Sequence, residues 1–502
     1  MQDKLDQLKS HLARVRDLEL VNSVLEWDME VLMPEGAAKS RADQTATMEA
    51  LAHQYFVDEE IGSLLDELRD FESSLPFDSN EASIIRVNRR DYEQQVRIPT
   101  HLVEELARHR SLSYHSWMKA RQQKDFSIFE ADLARMIDLQ KQVAAALSDG
   151  GNPYDALLDI FEPGMTYEKI DTVFSGLKPN LIKLVEAITA NKDRVDDSIL
   201  RFPLSLDKQE AFAREVTAKF GFDYTKGRLD FFNGHPFETH FYQGDVRITT
   251  RIEEDYPAGA LMSSIHEAGH GMYEQGVSLD LYRTRLDNGA SSSIHESQSR
   301  FFENVIGRSR PFLKYWYPKF QQITTPNLDN VDLDTFYRAI NKSEPSLIRV
   351  DADEVTYGLH VILRFELEND LINGRVKVSD LPKEWNSRMK QYLGVTPPDD
   401  SKGVLQDVHW SAGLFGYFPD YLLGTIFSVQ LWEQMKKDIP DVEAQIERGE
   451  FDQVLGWQRK NVHVHGKKFT LPELSERVTG GPLRWEPYMN YLQAKYSEIY
   501  RL

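Results

Sequence analysis

Pro257-Ala258-Gly259-Ala260-Leu261-Met262-Ser263-Ser264-Ile265-His266-Glu267-Ala268-Gly269-His270 carries the pattern H-E-x-x-H inside a helix-forming run. Pro257 sits where a first helical turn accepts an imino acid, and Ala258, Ala260, Leu261, Met262 and Ile265 supply a buried side. Positions i and i+4 of a helix lie one above the other, so His266 and His270 point at one ion. Glu267 projects beside them, placed to take a proton from a water on that ion without being a ligand. With 14 His in 502 residues, the pattern arises by accident in about 3–4% of such chains. The competing reading, two ordinary core histidines, loses further ground to the helix in which they sit.

A catalytic zinc takes three protein ligands and keeps one position open. The pattern H-E-x-x-H-x-x-G-x-x-H is excluded, because Tyr273 and Gly276 stand where it needs Gly and His. The other arrangement takes a Glu from a following helix. Ser291-Ser292-Ser293-Ile294-His295-Glu296-Ser297-Gln298 opens such a helix and leads into Phe301, Phe302, Val305 and Ile306. Glu296 lies far enough beyond His270 for the first helix to end and the chain to return. Glu303, two turns on and on nearly the same face, is a rival ligand, and His295 a weaker one.

Outward from this centre the chain reads as helical. Leu5, Leu8, Leu12 and Val15 share one face of a helix that continues to Trp27 and stops at Met33-Pro34-Glu35-Gly36. Thr100 is placed to cap a helix burying Leu102, Val103, Leu106 and Ala107, and a further helix over 126–148 ends at Gly150-Gly151-Asn152-Pro153. The same periodicity fills 168–191, 207–219, 332–342, 351–369 and 421–437. Strand-like alternation is scarce, and its best example is Asp245–Ile252. With no repeat, low-complexity stretch or long linker, 1–502 reads as one large, mainly α unit.

Composition bounds the function. Acidic residues (80) outnumber basic ones (59) for a formal charge of −21, which argues against nucleic-acid or anionic-membrane partners. Without cysteine, disulfides, thiolate metal sites and thiol nucleophiles are impossible. The N-terminus is charged from residue 3, and no 18 apolar residues run together, so the reading is a cytoplasmic protein without membrane spans.

Six motifs together resemble the carboxypeptidase Taq family of metallocarboxypeptidases over essentially the whole length. They are His235-Pro236-Phe237, Asp245-Val246-Arg247-Ile248-Thr249, the His266–His270 helix, His295-Glu296-Ser297-Gln298, Ile348-Arg349-Val350-Asp351-Ala352-Asp353, and Gly403-Val404-Leu405-Gln406-Asp407-Val408-His409-Trp410. The resemblance implies a mainly α fold with a deep groove and a small sheet beside the zinc helix. It also implies one zinc or cobalt ion per subunit, a homodimer, and removal of single residues from peptide C-termini with broad specificity that excludes proline. It favours His266, His270 and Glu296 as ligands and Glu267 as general base. The chain departs from the family pattern after His235-Pro236-Phe237, where it reads Glu238-Thr239-His240-Phe241-Tyr242-Gln243, and this bears on subsite preference.

Peptide hydrolysis needs a nucleophile, here water on zinc, with Glu267 receiving its proton and passing it to the leaving amine. A donor to the developing oxyanion is expected from His409 or Tyr421, with Tyr417 in reserve. The substrate's free C-terminal carboxylate calls for a bidentate Arg. Arg349 is the candidate, against a structural pairing with Asp351, Asp353 or Glu354. Arg247 is expected either to pair with Asp245 or to face substrate, with its strand offering an edge for β-addition. His463 and His465 are read as a helix-end feature. The alternatives are a helical zinc oligopeptidase or dipeptidyl carboxypeptidase, and a helical scaffold with an incidental metal site. Retention of Glu267 opposes the scaffold, and cleavage of C-terminally amidated peptides would mark the oligopeptidase.

Overall fold

The computed structural model describes residues 1–232 and 234–502. Helices dominate, and the described residues hold one three-stranded sheet. Contacts gather into two compact units, each assembled from three separated stretches of chain. The first comprises residues 1–96, 197–340 and 431–480, and the second 97–196, 341–430 and 481–502.

The first unit opens with the helix Gln2–Val31, which buries Leu5, Leu8, Leu12, Val15 and Trp27 as their spacing requires. Its sheet contains β1 (Gly227–Phe231), β2 (Glu238–Tyr242) and β3 (Asp245–Thr250) in the order β1-β3-β2. β3 pairs parallel with β1 and antiparallel with β2, so both its edges are taken. The expected free edge for β-addition is therefore not on the Asp245–Thr250 strand. Val246, Ile248, Thr249 and Thr250 are buried, as a β-branched run in a central strand should be. Thr249 also joins two of the motifs: its Oγ1 donates to Phe237 O at 3.0 Å and accepts from Phe237 N at 2.8 Å.

The helix Pro257–Gly276 lies against this sheet, and Ser292–Arg300 packs against the helix. Two glycines set these approaches. A Cβ on Gly271 would meet Ile248 and Phe222, and one on Gly269 would fall 2.7 Å from Gln298 O and from the Ser299 Cα. Ser291 caps the second helix by accepting from Ile294 N. That helix passes into a wider π-helical turn over Phe301–Gly307.

The second unit includes the helices Thr100–Gln123, Ser127–Leu147, Pro153–Phe161, Tyr167–Thr189 and Tyr357–Ile372. Thr100 is a helical residue rather than a cap: Pro99 stands at the cap, and no side chain closes it. Val103 and Ala107 are exposed, because the buried stripe runs through Leu102, Leu106, His109, Ser113 and Trp117. Two polar residues on that stripe hid it from a hydrophobic pattern. The helix expected over 351–369 starts only at Tyr357. Asp353 holds the chain ahead of it, accepting from Glu344 N, Val355 N, Thr356 N and Thr356 Oγ1.

Candidate metal centre

His266, His270 and Glu296 converge in the first unit, with one ligand atom from each lying within 4.8 Å of the others. The approach is through the Nε2 atoms: Glu296 Oε2 stands 3.8 Å from His266 Nε2 and 3.6 Å from His270 Nε2. Both Nδ1 atoms are engaged on the far side. His266 Nδ1 meets Glu303 Oε2 at 2.9 Å, and His270 Nδ1 meets His295 Nδ1. An imidazole whose Nδ1 is so held presents a free Nε2, the arrangement seen behind metal-ligating histidines. Two imidazole nitrogens and a carboxylate oxygen fit a divalent ion such as zinc and leave a coordination position open.

Glu296 is steadied by Arg300, which donates from Nε at 2.7 Å, and by Ser299 Oγ at 3.3 Å. Glu303, the rival ligand from spacing alone, instead backs His266 and accepts from Arg300 and Arg308. Seven residues at about 1.5 Å each set the two acids about 10 Å apart along the helix, so Glu296 faces Nε2 of His266 while Glu303 meets Nδ1 on its other side. His295 likewise lies behind His270 and passes its other nitrogen to Glu274 Oε1 at 2.8 Å. Burial would raise the Glu303 carboxyl, but the hydrogen bond to His266 and the charges of Arg300 and Arg308 hold it well below the usual range.

Glu267 is buried on the same helix. Burial pushes its carboxyl up to about 7, opposed by His266 and His295 and reinforced by Glu238 and Glu296. An acid poised there can hold or release a proton at neutral pH.

In the second unit the structure brings Arg349, His409, Tyr417 and Tyr421 into one cluster. Arg349 is 5% exposed and donates from Nε and Nη2 to Asp407 Oδ1 at 3.0 and 2.9 Å, and from Nη1 to Tyr357. Its partner is thus Asp407, not Asp351, Asp353 or Glu354. Glu354 is bonded to Lys495. Arg364, fully buried, donates to Asp407 Oδ2 at 2.7 Å and to Gln406 Oε1. Two guanidinium groups therefore share one carboxylate, which leaves a net positive charge on the triad. Asp407 is held well below the usual carboxylate range: burial opposes ionisation, but Arg364 and Arg349 outweigh it. His409 Nε2 lies 3.3 Å from Tyr421 Oη, Tyr417 packs on both rings, and Arg349 sits over the Tyr421 ring.

Arg247 does not extend freely. It forms a two-pronged pair with Asp245, both bonds 2.9 Å, and lies over the rings of Trp27 and Phe241. His463 follows the helix Asp452–Asn461, buried and facing Gln298 Oε1 at 2.9 Å. His465 packs on Phe469.

Residues 7–496 match the model of the carboxypeptidase Taq (M32) metallopeptidases. The chain belongs to that family. It is 37% identical to "Carboxypeptidase 1" of Bacillus subtilis over 98% of this chain and 97% of that protein. It is 38% identical to "Thermostable carboxypeptidase 1" of Thermus thermophilus over 96% of each. The crystal structure of the M32 carboxypeptidase from Deinococcus radiodurans superposes with a TM-score of 0.96 at 38% identity, covering 100% of both chains. That of Pyrococcus furiosus carboxypeptidase gives 0.95 at 34%, covering 99% of each. The protein is a metallocarboxypeptidase, and its fold is that of the M32 enzymes.

Several residues that shape this carboxypeptidase's centres escaped the sequence reading although a signal was present. Glu274 is four positions beyond His270, and Arg300 four beyond Glu296, so both sit on the ligand faces of their helices. His360, Arg364 and Glu368 form a polar stripe at the same spacing in the helix Tyr357–Ile372. Glu368 holds the loop that carries His409, accepting from Trp410 Nε1 at 2.8 Å and Gly416 N at 2.9 Å.

Proposed function

We propose that the enzyme removes single residues from the free C-terminus of peptides, using one divalent ion, zinc or cobalt, held by His266, His270 and Glu296. The observation that carries this reading is the shared approach of His266 Nε2 and His270 Nε2 to Glu296 Oε2, with both Nδ1 atoms engaged behind. An ion bound there supplies a Lewis acid that polarises the scissile carbonyl and acidifies water. Glu267 takes the proton from the attacking water on its carboxylate and returns it to the departing amine nitrogen. His409 and Tyr421 are proposed as donors to the oxyanion, with Tyr417 packed to hold them.

Arg349 is proposed as the anchor of the substrate carboxylate. Its support is the surplus charge of the Arg349–Asp407–Arg364 triad, which an incoming carboxylate would neutralise. Arg247, already paired with Asp245, is the secondary candidate. Exclusion of proline fits an imino acid with a fixed φ and no N–H. We take 1–502 as one functional domain, because the family match runs through both interleaved units. The homodimer rests on the family resemblance.

One peptide, offered as free acid and as C-terminal amide to the zinc-loaded enzyme, tests the reading by mass spectrometry. The free acid should shorten one residue at a time while the amide stays intact. Cleavage of the amide, or release of dipeptides, would establish the oligopeptidase or dipeptidyl carboxypeptidase alternative instead.

A further inference from the structure

Side chains of strand β2 lead to the back of the metal centre. Glu238 and His240, two positions apart, leave the same face of the strand. His240 Nδ1 lies 3.2 Å from Glu238 Oε1, and its Nε2 lies 3.5 Å from Glu274 Oε2. The other Glu274 oxygen accepts from Gly289 N at 2.7 Å and faces His295 Nε2 at 2.8 Å. His295 in turn faces His270 through Nδ1.

The proton positions along this chain follow from one end. If His270 binds metal through Nε2, its Nδ1 carries the proton, and His295 Nδ1 must accept it. His295 then carries its own proton on Nε2 and donates to Glu274. An ionised Glu274 is the strongest acceptor for that donation, although it is buried and shares His240 with a second carboxylate, Glu238. His240 is the compensating cation. Burial disfavours its charge, but Glu274 and Glu238 push it up to about 9. Arg16 also bears on this group, but its guanidinium is committed to Asp287 at 2.8 Å and lies near Glu19.

We propose that His240 is a positioning residue of the metal centre, acting through Glu274 and His295 to fix the ring of His270. The proposal rests on the ligand assignment above. Removing the cation strands two buried carboxylates against each other, so Glu274 no longer holds His295, and His270 loses its acceptor. Carboxylates and imidazoles behind ligating histidines are typically worth 10–100-fold in metal affinity.

The test is zinc affinity, measured by chelator competition on the full chain, with melting of the zinc-free protein as a check on folding. His240→Gln and Glu274→Gln should each weaken zinc about 10–100-fold. The double variant should be no weaker than Glu274→Gln, since His240 acts only through that charge. His240→Lys, which keeps a cation, should recover part of the loss. A folded His240→Gln protein with wild-type zinc affinity overturns the proposal, as does an additive double variant. Should His240→Gln not fold, unchanged zinc affinity in Glu274→Gln overturns it equally. Glu296→Ala is the control that separates the two levels: if it binds zinc as the wild type does, the ligand assignment has failed rather than the role of His240.

Discussion

Gly269→Ala is the smallest change that should uncouple the metal ligands from one another. The added methyl would sit 2.7 Å from the carbonyl oxygen of Gln298 and 2.7 Å from the Ser299 Cα, where ordinary contact begins at 3.4 Å. Both neighbours are backbone, so no side chain can swing aside, and the helix Ser292–Arg300 must retreat by about 0.7–1 Å. Glu296 rides on that helix. A carboxylate ligand bonds zinc at about 2.0–2.2 Å, so a displacement of this size is a large fraction of a coordination bond. Two energies compete in the fold itself. Alanine in a helix interior gains about 1 kcal/mol over glycine, whereas overpacking costs about 1–3 kcal/mol. The net change in stability is therefore small, about 0–2 kcal/mol of loss, and the melting temperature is a poor readout. Zinc affinity is the informative one, expected to fall by at least about 10-fold, with kcat/KM falling alongside. A Gly269→Ala enzyme with wild-type zinc affinity and activity would show that the two helices can part without moving Glu296, and would refute the reasoning.

Glu296→Ala should lose most bound metal, Glu303→Ala should weaken it about 10–100-fold, and Glu267→Gln should keep it while activity drops at least about 10²-fold. Metal analysis beside steady-state kinetics distinguishes the three. Arg349→Ala should cut kcat/KM for free-acid peptides by orders of magnitude and erase the preference for acid over amide, with metal content unchanged; Arg349→Lys should restore only part. A preference that survives in Arg349→Ala would move the carboxylate site to Arg247. Tyr421→Phe should lower kcat by roughly 10²-fold with KM little changed, and a much larger effect from Tyr417→Phe would transfer the oxyanion role. His240 makes stability pH-dependent. Its folded pKa of about 9 lies above the ordinary value of 6.5, so its contribution is complete below about pH 6.5 and is lost as pH rises through 9. Thermal melts of wild type and His240→Gln over that range should converge toward the alkaline end.

By itself the sequence determined the helical class and set His266, Glu267 and His270 together on one helix. These are local properties: a 3.6-residue period places Leu5, Leu8, Leu12 and Val15 on one face, and His266 and His270 on another. It also placed a strand at Asp245, because a β-branched run has few other readings. What it could not decide were relations between segments far apart in the chain. The Asp245–Thr250 strand is central because β1 and β2 flank it, and no feature of its six residues tells an edge from a centre. Arg349 found Asp407 rather than the acids beside it, since a buried guanidinium takes the carboxylate that packing brings to it. Glu303 backs Nδ1 of His266 while Glu296 faces its Nε2, a division set by how the two helices pack rather than by spacing within either. The chain of His240, Glu274 and His295 draws on a strand and two helices. Periodicity sees each of these residues singly, and only tertiary packing, by excluding water and forcing each buried charge to find a partner, makes them one network.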